Sequence, residues 1–322
     1  MDSAPPSPTI IVTVPATTAN LGPGFDCLGL ALDLRNRLTV SRSGPDLPFA
    51  CHATQYTIEI TGIDTEKLPL DHDNLAIQAA ESLFQRIDRR PAGLTLKMEN
   101  CIPVGSGLGS SSSAIVAGLV AANALYGDPL PRQELLHMAV AMEGHPDNVA
   151  PAMLGGLVLG VLPDIDYGPV ELIVRRWDPP AFAAVVVLPD FHLLTTEARA
   201  VLPAVISRAD AIFNSSRLGL LIYALTCGDT QHLRVAMSDR LHQTHRLKII
   251  PGADAAFSAA YKAGAIGVAL SGAGPSLIAF TVGEQQAIAQ AMSDSFKAAG
   301  LECRVWFLSP STQGVDISVA KA

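Results

Sequence analysis

The stretch Ile102-Pro103-Val104-Gly105-Ser106-Gly107-Leu108-Gly109-Ser110-Ser111-Ser112-Ser113 runs without a break into the apolar segment Ala114 to Tyr126. Its glycines let the backbone approach a ligand closely, and its serines add hydroxyl donors. The amino end of the helix that follows presents unpaired N–H groups at the positive end of its dipole. A triphosphate suits that arrangement. Spacing excludes the familiar alternatives: there is no GxxxxGK[ST] and so no P-loop, no GxGxxG in the stretch, and no GxSxG nucleophile elbow. A Gly/Ser turn that merely caps a helix has the same composition, and composition leaves these two readings equally open.

Outward from this loop, apolar residues at three-to-four spacing predict helices over 74–87, 111–126 and 132–142, with Asp73 or Ser110 as N-caps and Gly127 as a stop. Strands are expected at 10–14, 56–60, 94–98 and 156–162. A Pro, Gly and Asp cluster from Pro163 to Pro169 marks a boundary. Beyond it, strands at 183–188, 266–270, 277–282 and 303–307 mix with helices at 198–205, 209–227, 230–241, 253–263 and 284–299. The class is α+β, divided into a flexible leader at 1–9, an N-terminal domain at 10–168 and a C-terminal domain at 169–322.

The chain has 322 residues, of which 49% are hydrophobic and 16% charged, a balance that supports a sizeable core. Its formal net charge of -8 argues against wholesale nucleic-acid binding, so an anionic ligand must be met locally. The apolar runs are too short and too interrupted to cross a bilayer, and MDSAPPSPT lacks the succession of a secretory signal, so a cytoplasmic protein is expected. Cys27, Cys51, Cys101, Cys227 and Cys303 are odd in number and scattered, with no CxxC pair, which reads as reduced thiols. His242 and His245 stand at HxxH spacing without a carboxylate or Cys beside them, and are read as flanking a helix end instead of binding metal.

In order, residues 103–113 resemble the PxxxGLGSSAA phosphate loop of the GHMP small-molecule kinases, departing only at Ser112 and Ser113, where small residues such as alanine are usual. Val14 to Gly29, VPATTANLGPGFDCLG, is similar to the first motif of that family in its homoserine-kinase form. Leu270 to Ser276, LSGAGPS, is similar to the third, a Gly-rich loop that supports the nucleotide loop. Glu143 to Pro151, EGHPDNVAP, resembles the homoserine-kinase segment that precedes a Gly-Gly strand, present as Gly155-Gly156. The ANLGPGFD and HPDNVAP segments discriminate against a mevalonate-type or diphosphocytidyl-methylerythritol kinase. A catalytically inert binding protein of the same fold would show damage in these motifs, and they are intact.

The resemblance implies an N-terminal domain like ribosomal protein S5 domain 2 and a ferredoxin-like C-terminal domain, with the site between them. It implies Mg·ATP-dependent phosphorylation of the homoserine hydroxyl, in threonine biosynthesis. Residues 103–113 would hold the ATP phosphates and Asn74 would lie near adenine. Ser110 and Glu143 would meet Mg²⁺; a Glu at a helix end is a hard oxygen ligand, although without these neighbours it would ordinarily be a solvated residue. Asp26 would take the substrate ammonium. Asn20 and Asn148 would orient the amino acid and its hydroxyl, and Asp147 stands as a less favoured base. Arg199 and Arg246 would clamp the carboxylate with planar forks, and Arg240 competes with Arg246 for that role. The expected partners are ATP and L-homoserine, with no nucleic acid and no membrane, and a homodimer is an allowed assembly.

Overall fold

Two sheets with helices packed on them account for the described residues of the computed structural model, which are 8–50, 53–164, 166, 168 and 170–320. Most of the expected leader, and Cys51, lie outside these. In chain order the first elements are β1 (Ile10–Asn20), β2 (Gly24–Leu47), β3 (Gln55–Gly62), α1 (Leu75–Arg86), β4 (Arg90–Asn100), α2 (Ser110–Leu125), α3 (Arg132–Glu143), α4 (Pro146–Leu154), β5 (Leu157–Val161) and β6 (Ile173–Trp177). There follow β7 (Ala183–Pro189), α5 (Thr195–Ala200), α6 (Arg208–Cys227), α7 (Leu233–Ala236), α8 (Gln243–Arg246), α9 (Ala253–Lys262), β8 (Gly267–Leu270), β9 (Leu277–Thr281), α10 (Gln285–Ala298), β10 (Cys303–Leu308) and β11 (Asp316–Val319).

The first sheet runs β11-β1-β2-β4-β3, with β5 paired to β2 and β6 to β5. Ile10, Val12 and Val14 alternate inward from β1, which packs against α2 and α4. Helix α2 is apolar almost all round and is correspondingly buried between sheet and helices. It approaches α1 so closely that a Cβ on Gly118 would lie 2.2 Å from the Ala76 carbonyl oxygen. The second sheet is antiparallel in the order β10-β7-β9-β8, the ferredoxin-like arrangement, with α9 and α10 packed in its core. A further apolar cluster joins the units: Leu21, Leu28, Ile102 and Leu108 meet Phe182, Leu221, Met237 and Phe280. Leu108 therefore anchors the glycine-rich loop in the seam between the sheets.

Several elements differ from expectation. Strand β2 was hidden in a motif that reads as loop, and α4 starts on Pro146, whose fixed φ suits the first helical turn. Of the helix expected at 230–241 only the turn α7 forms, and a second turn, α8, follows beyond it. Between them the Asp239 carboxylate accepts the amides of Leu241, His242 and Gln243 at 2.9, 2.9 and 2.7 Å, which ends the helical path there. The helix expected at 198–205 lies at Thr195–Ala200, opened by the Glu197 carboxylate on the Leu194 amide and closed before Pro203. The N-caps are Asn74 and Gly109, not Asp73 and Ser110. Strands β6 and β11 were not foreseen; both join the first sheet, so a cut at 168 separates the two sheets only approximately. Among the described residues no helix is long and apolar enough to cross a membrane, and Cys27, Cys101, Cys227 and Cys303 are free.

Candidate active site

A cleft of ≈ 430 Å³ opens along the seam. At one end stands the loop 103–109 and the start of α2. The Asn36 carboxamide on β2 accepts the amides of Cys101 and Ile102 at 2.7 and 2.9 Å and so fixes where the loop begins. From behind, the Thr17 amide donates to Leu108 O at 3.1 Å, Ser271 Oγ to Gly107 O at 2.7 Å, and the Ser276 amide to Ser106 O at 3.3 Å. The first and third motifs thus brace the second through its carbonyls, leaving amides for the cleft. Among the described residues no acceptor meets the amides of Gly105, Gly107 and Gly109. Gly109 caps α2 with φ 70 and no side-chain cap, so the helix end keeps its donors.

The glycines serve different ends. A Cβ on Gly107 would meet Ser271 O at 2.1 Å, and one on Gly109 would meet Thr17 Oγ1 at 2.0 Å, whereas Gly105 has no protein atom within 4 Å. All three line the cleft, and of the three only Gly105 has open space where a Cβ would stand. Of the remaining loop residues, Val104, Ser106, Ser110 and Ser111 line the cleft, while Pro103, Leu108, Ser112 and Ser113 are buried behind it. The Val104 amide is already donated to the Asp64 carboxylate at 3.0 Å. Leu68, Pro69, Leu75, Met98 and Ala114 give the adjoining wall an apolar character. Asn74 also lines it, but its carboxamide is committed to capping Ala76 N at 3.0 Å and to Pro69 O at 2.9 Å. It shapes that wall through the loop it holds.

Glu143, the last residue of α3, projects into the cleft, and its Oε1 accepts Ser111 Oγ at 3.2 Å and Ser112 Oγ at 3.0 Å. Ser112, the departure from alanine, thus has a partner. Ser110 lines the cleft beside them. One carboxylate and two hydroxyls are hard oxygen donors, a set that fits a divalent cation shared with phosphate oxygens.

The other end carries charge. Asp26 receives both terminal nitrogens of Arg199 at 2.9 Å, so two residues expected at opposite ends of a zwitterion form a bidentate pair. Asp26 stands at φ 56 and Asn20 at φ 70, both left-handed. Asn20 Oδ1 accepts the Asp26 amide at 2.9 Å and its Nδ2 donates to Gly272 O at 2.8 Å, which holds that turn in place. Asn148 lines the cleft on α4, its Oδ1 taken by Thr17 Oγ1 at 2.8 Å.

Arg246 is 1% exposed and lines the cleft, while Arg240 pairs with Asp210 at 3.3 Å on the surface. The Arg246 fork donates Nε to Ala198 O at 3.0 Å and Nη1 to Gly272 O at 3.2 Å. Among the described residues no acceptor meets its Nη2. Burial first, then the nearby Arg199 guanidinium, push Arg246 down to about 10. Two guanidiniums so placed favour a shared anion. Behind them His242 donates Nε2–H to Gly22 O at 2.7 Å and stacks on Phe25 with centroids 5.1 Å apart; burial outweighs Asp239 and keeps the ring below its usual pKa.

Asp147 is buried and bonded to His145 Nδ1 at 2.5 Å. Burial opposes a charge on His145, but Asp147, then Glu143 and Asp26, outweigh it and raise its pKa. Cys27, beneath this cluster, is pushed up to about 11 by burial, Asp147 and Asp26, and stays a thiol. Thr17, His145 and Ser271 were not singled out in the sequence, although each stands inside a motif quoted above.

Comparisons agree with the geometry. The profile "GHMP kinases N terminal domain" matches residues 74–156, and "GHMP kinases C terminal" matches residues 221–298. The chain is 44% identical to a homoserine kinase of Trichormus variabilis over 95% of its own length and 98% of the relative's. It is also 44% identical to one from Moorella thermoacetica, over 95% and 99%. Its structure is similar to that of a homoserine kinase from Cytophaga hutchinsonii, with a TM-score of 0.84 and 30% identity over 99% of this chain and 100% of that one. A mevalonate kinase structure matches at TM-score 0.66 and 15% identity, a likeness of fold.

Proposed function

Because the chain belongs to the GHMP kinase family and, within it, to the homoserine kinases, we propose that this cleft holds ATP at its loop end and L-homoserine at its charged end. The activity is ATP-dependent phosphorylation of the side-chain hydroxyl of homoserine to O-phospho-L-homoserine, in threonine biosynthesis. The observation that carries the assignment of ends is the Asp26, Arg199 and Arg246 cluster in the same cleft as the loop. An amino acid needs both signs of charge, whereas mevalonate brings only a carboxylate and galactose neither.

In this reading the free Gly105, Gly107 and Gly109 amides and the α2 end receive phosphate oxygens, and the apolar wall receives adenine. Homoserine enters the Asp26–Arg199 pair by exchange: its ammonium goes to Asp26, and its carboxylate to Arg199 and to Arg246 Nη2. One set of ion pairs replaces another at no change in net charge. Asn20 keeps Asp26 in its strained turn, and Asn148 orients the hydroxyl toward the phosphoryl group. Asp147 is bonded to His145 Nδ1, which supports a role in orienting that ring over one as the base. Mg²⁺ held by Glu143 with Ser110 and Ser111 would neutralise phosphate charge.

A coupled ADP-release assay with homoserine, mevalonate and galactose tests the reading. ADP is expected with homoserine alone; homoserine turning over no faster than galactose would sink it.

A further inference from the structure

The loop end has a support that none of the motifs contains. Strand β3 runs parallel to β4 as far as the pair Gly62 and Asn100, and there the two chains stay tied. The Ile63 amide donates to Asn100 O at 2.8 Å, and Asn100 Nδ2 returns to Ile63 O at 2.8 Å. That crossing delivers Asp64, at φ 53, beside the first residue of the glycine-rich turn. Its carboxylate is 9% exposed and carries four donors: Val104 N–H on Oδ2 at 3.0 Å, the Arg304 fork at 3.2 Å on Oδ1 and 3.1 Å on Oδ2, and the exposed Lys67 Nζ on Oδ1 at 3.5 Å. Arg304 comes from β10, in the other sheet. Burial alone would raise the Asp64 carboxyl, but Arg304 and the Val104 amide outweigh it and hold it below the usual range.

A carboxylate on a loop amide is unexpected where phosphates are to bind, since it removes a donor and adds like charge. Its neutralisation by Arg304 answers the second objection, and the loss of one donor fixes the direction of the next. We propose that Asp64, clamped by Arg304 across the seam between the sheets, is a positioning residue that aims the Gly105 amide at the nucleotide phosphates. Gly105 follows Val104 directly, and a Cβ on it would meet no protein atom within 4 Å, so the hydrogen bond on the Val104 amide lies one peptide away from a donor that no packed side chain holds in place. The inference rests on the loop's being the nucleotide site.

The test uses the full chain with ADP as probe. Asp64→Ala should raise the ADP dissociation constant and the KM for ATP by about five- to tenfold, the scale of one ordinary hydrogen bond left misdirected, and leave the KM for homoserine unchanged. Arg304→Ala, on an exposed side chain, should give a smaller rise in the same two quantities, and Arg304→Lys should recover part of it. Hydrogen exchange of the Val104 amide should quicken in both alanine variants. Should Asp64→Ala not fold, the Arg304 pair and the Val104 exchange carry the test. A lower melting temperature with ADP affinity unchanged would overturn the proposal and leave Asp64 a structural residue. Unchanged ADP affinity in Gly105→Val would instead overturn the nucleotide site itself, so the two failures are distinguishable.

Discussion

The loop end of the cleft presents its backbone donors from one unbroken stretch, residues 103–113, whereas the charged end gathers Asn20 and Asp26, Asp147 and Asn148, Arg199, and Arg246 from four parts of the chain. Arg199 is 173 residues from its partner Asp26. The first end offers backbone N–H groups at glycine and at a helix terminus, so its positive potential comes from the backbone. The second offers guanidiniums and carboxylates. A site made of backbone is broken by added volume or altered φ; a site made of side chains is broken by altered charge. In a chain with net charge -8, both must supply positive potential locally, and they do so by different means.

The sharpest way to break the comparison is at Gly105. Gly105→Val adds a branched side chain where no protein atom lies within 4 Å, at φ +67, so loss cannot be blamed on a clash as it could at Gly107 or Gly109. The expected fall in kcat/KM for ATP is roughly two to three orders of magnitude, the scale of losing a preorganised donor, with little change in the KM for homoserine. ADP calorimetry on the folded variant checks it.

Glu143→Gln comes next. It keeps the shape that Ser111 and Ser112 hold but removes the charge. Turnover should drop by about one to two orders of magnitude and the Mg²⁺ concentration for half-maximal rate should rise. A metal titration at saturating ATP measures both, and an unchanged titration at normal turnover would detach Glu143 from the metal.

A smaller effect separates the two arginines that the sequence left in competition. Arg240 is half exposed and pairs with Asp210, so Arg240→Ala should alter kcat/KM for homoserine by no more than about twofold. A tenfold loss would return it to the site.

The smallest effect is spectroscopic. In an NMR titration His145 should take up its proton above the ordinary histidine range and His242 below it. Since the folded pKa of His145 is raised, its stabilising contribution is fully present below the unfolded pKa and is lost as pH rises through the folded one. His242 titrating above His145 would contradict the assigned surroundings of both.

The same contrast explains what the sequence made legible. The loop, α2 and the motif order were readable because glycine order and helical spacing are local. Most of the second-half strands were readable for the same reason. Strand β2 was not, because ANLGPGFD advertises a turn and conceals the long strand that follows it. Nor was the Asp26–Arg199 pair foreseen as a pair, since no local pattern records a contact across 173 residues. Arg246 looked like one of several basic residues until α8 placed its fork between Ala198 O and Gly272 O. Asp239, which redirects the chain there by capping three amides, is an ordinary aspartate in a helical-looking run. Asn74 lines the apolar wall of the cleft and is also the N-cap of α1, a role that its position before an apolar helix signals.

The claim that the charged end reads the amino acid's carboxylate is tested most directly by pairing Arg246→Ala with two acceptors, homoserine and 3-aminopropanol, which is homoserine without its carboxylate. Comparing substrates within one variant cancels any general damage from removing a buried side chain. The account predicts that kcat/KM for homoserine falls by about one to two orders of magnitude while that for 3-aminopropanol changes little, with Arg246→Lys between, because a point charge lacks the fork. Equal proportional losses for the two acceptors would contradict it.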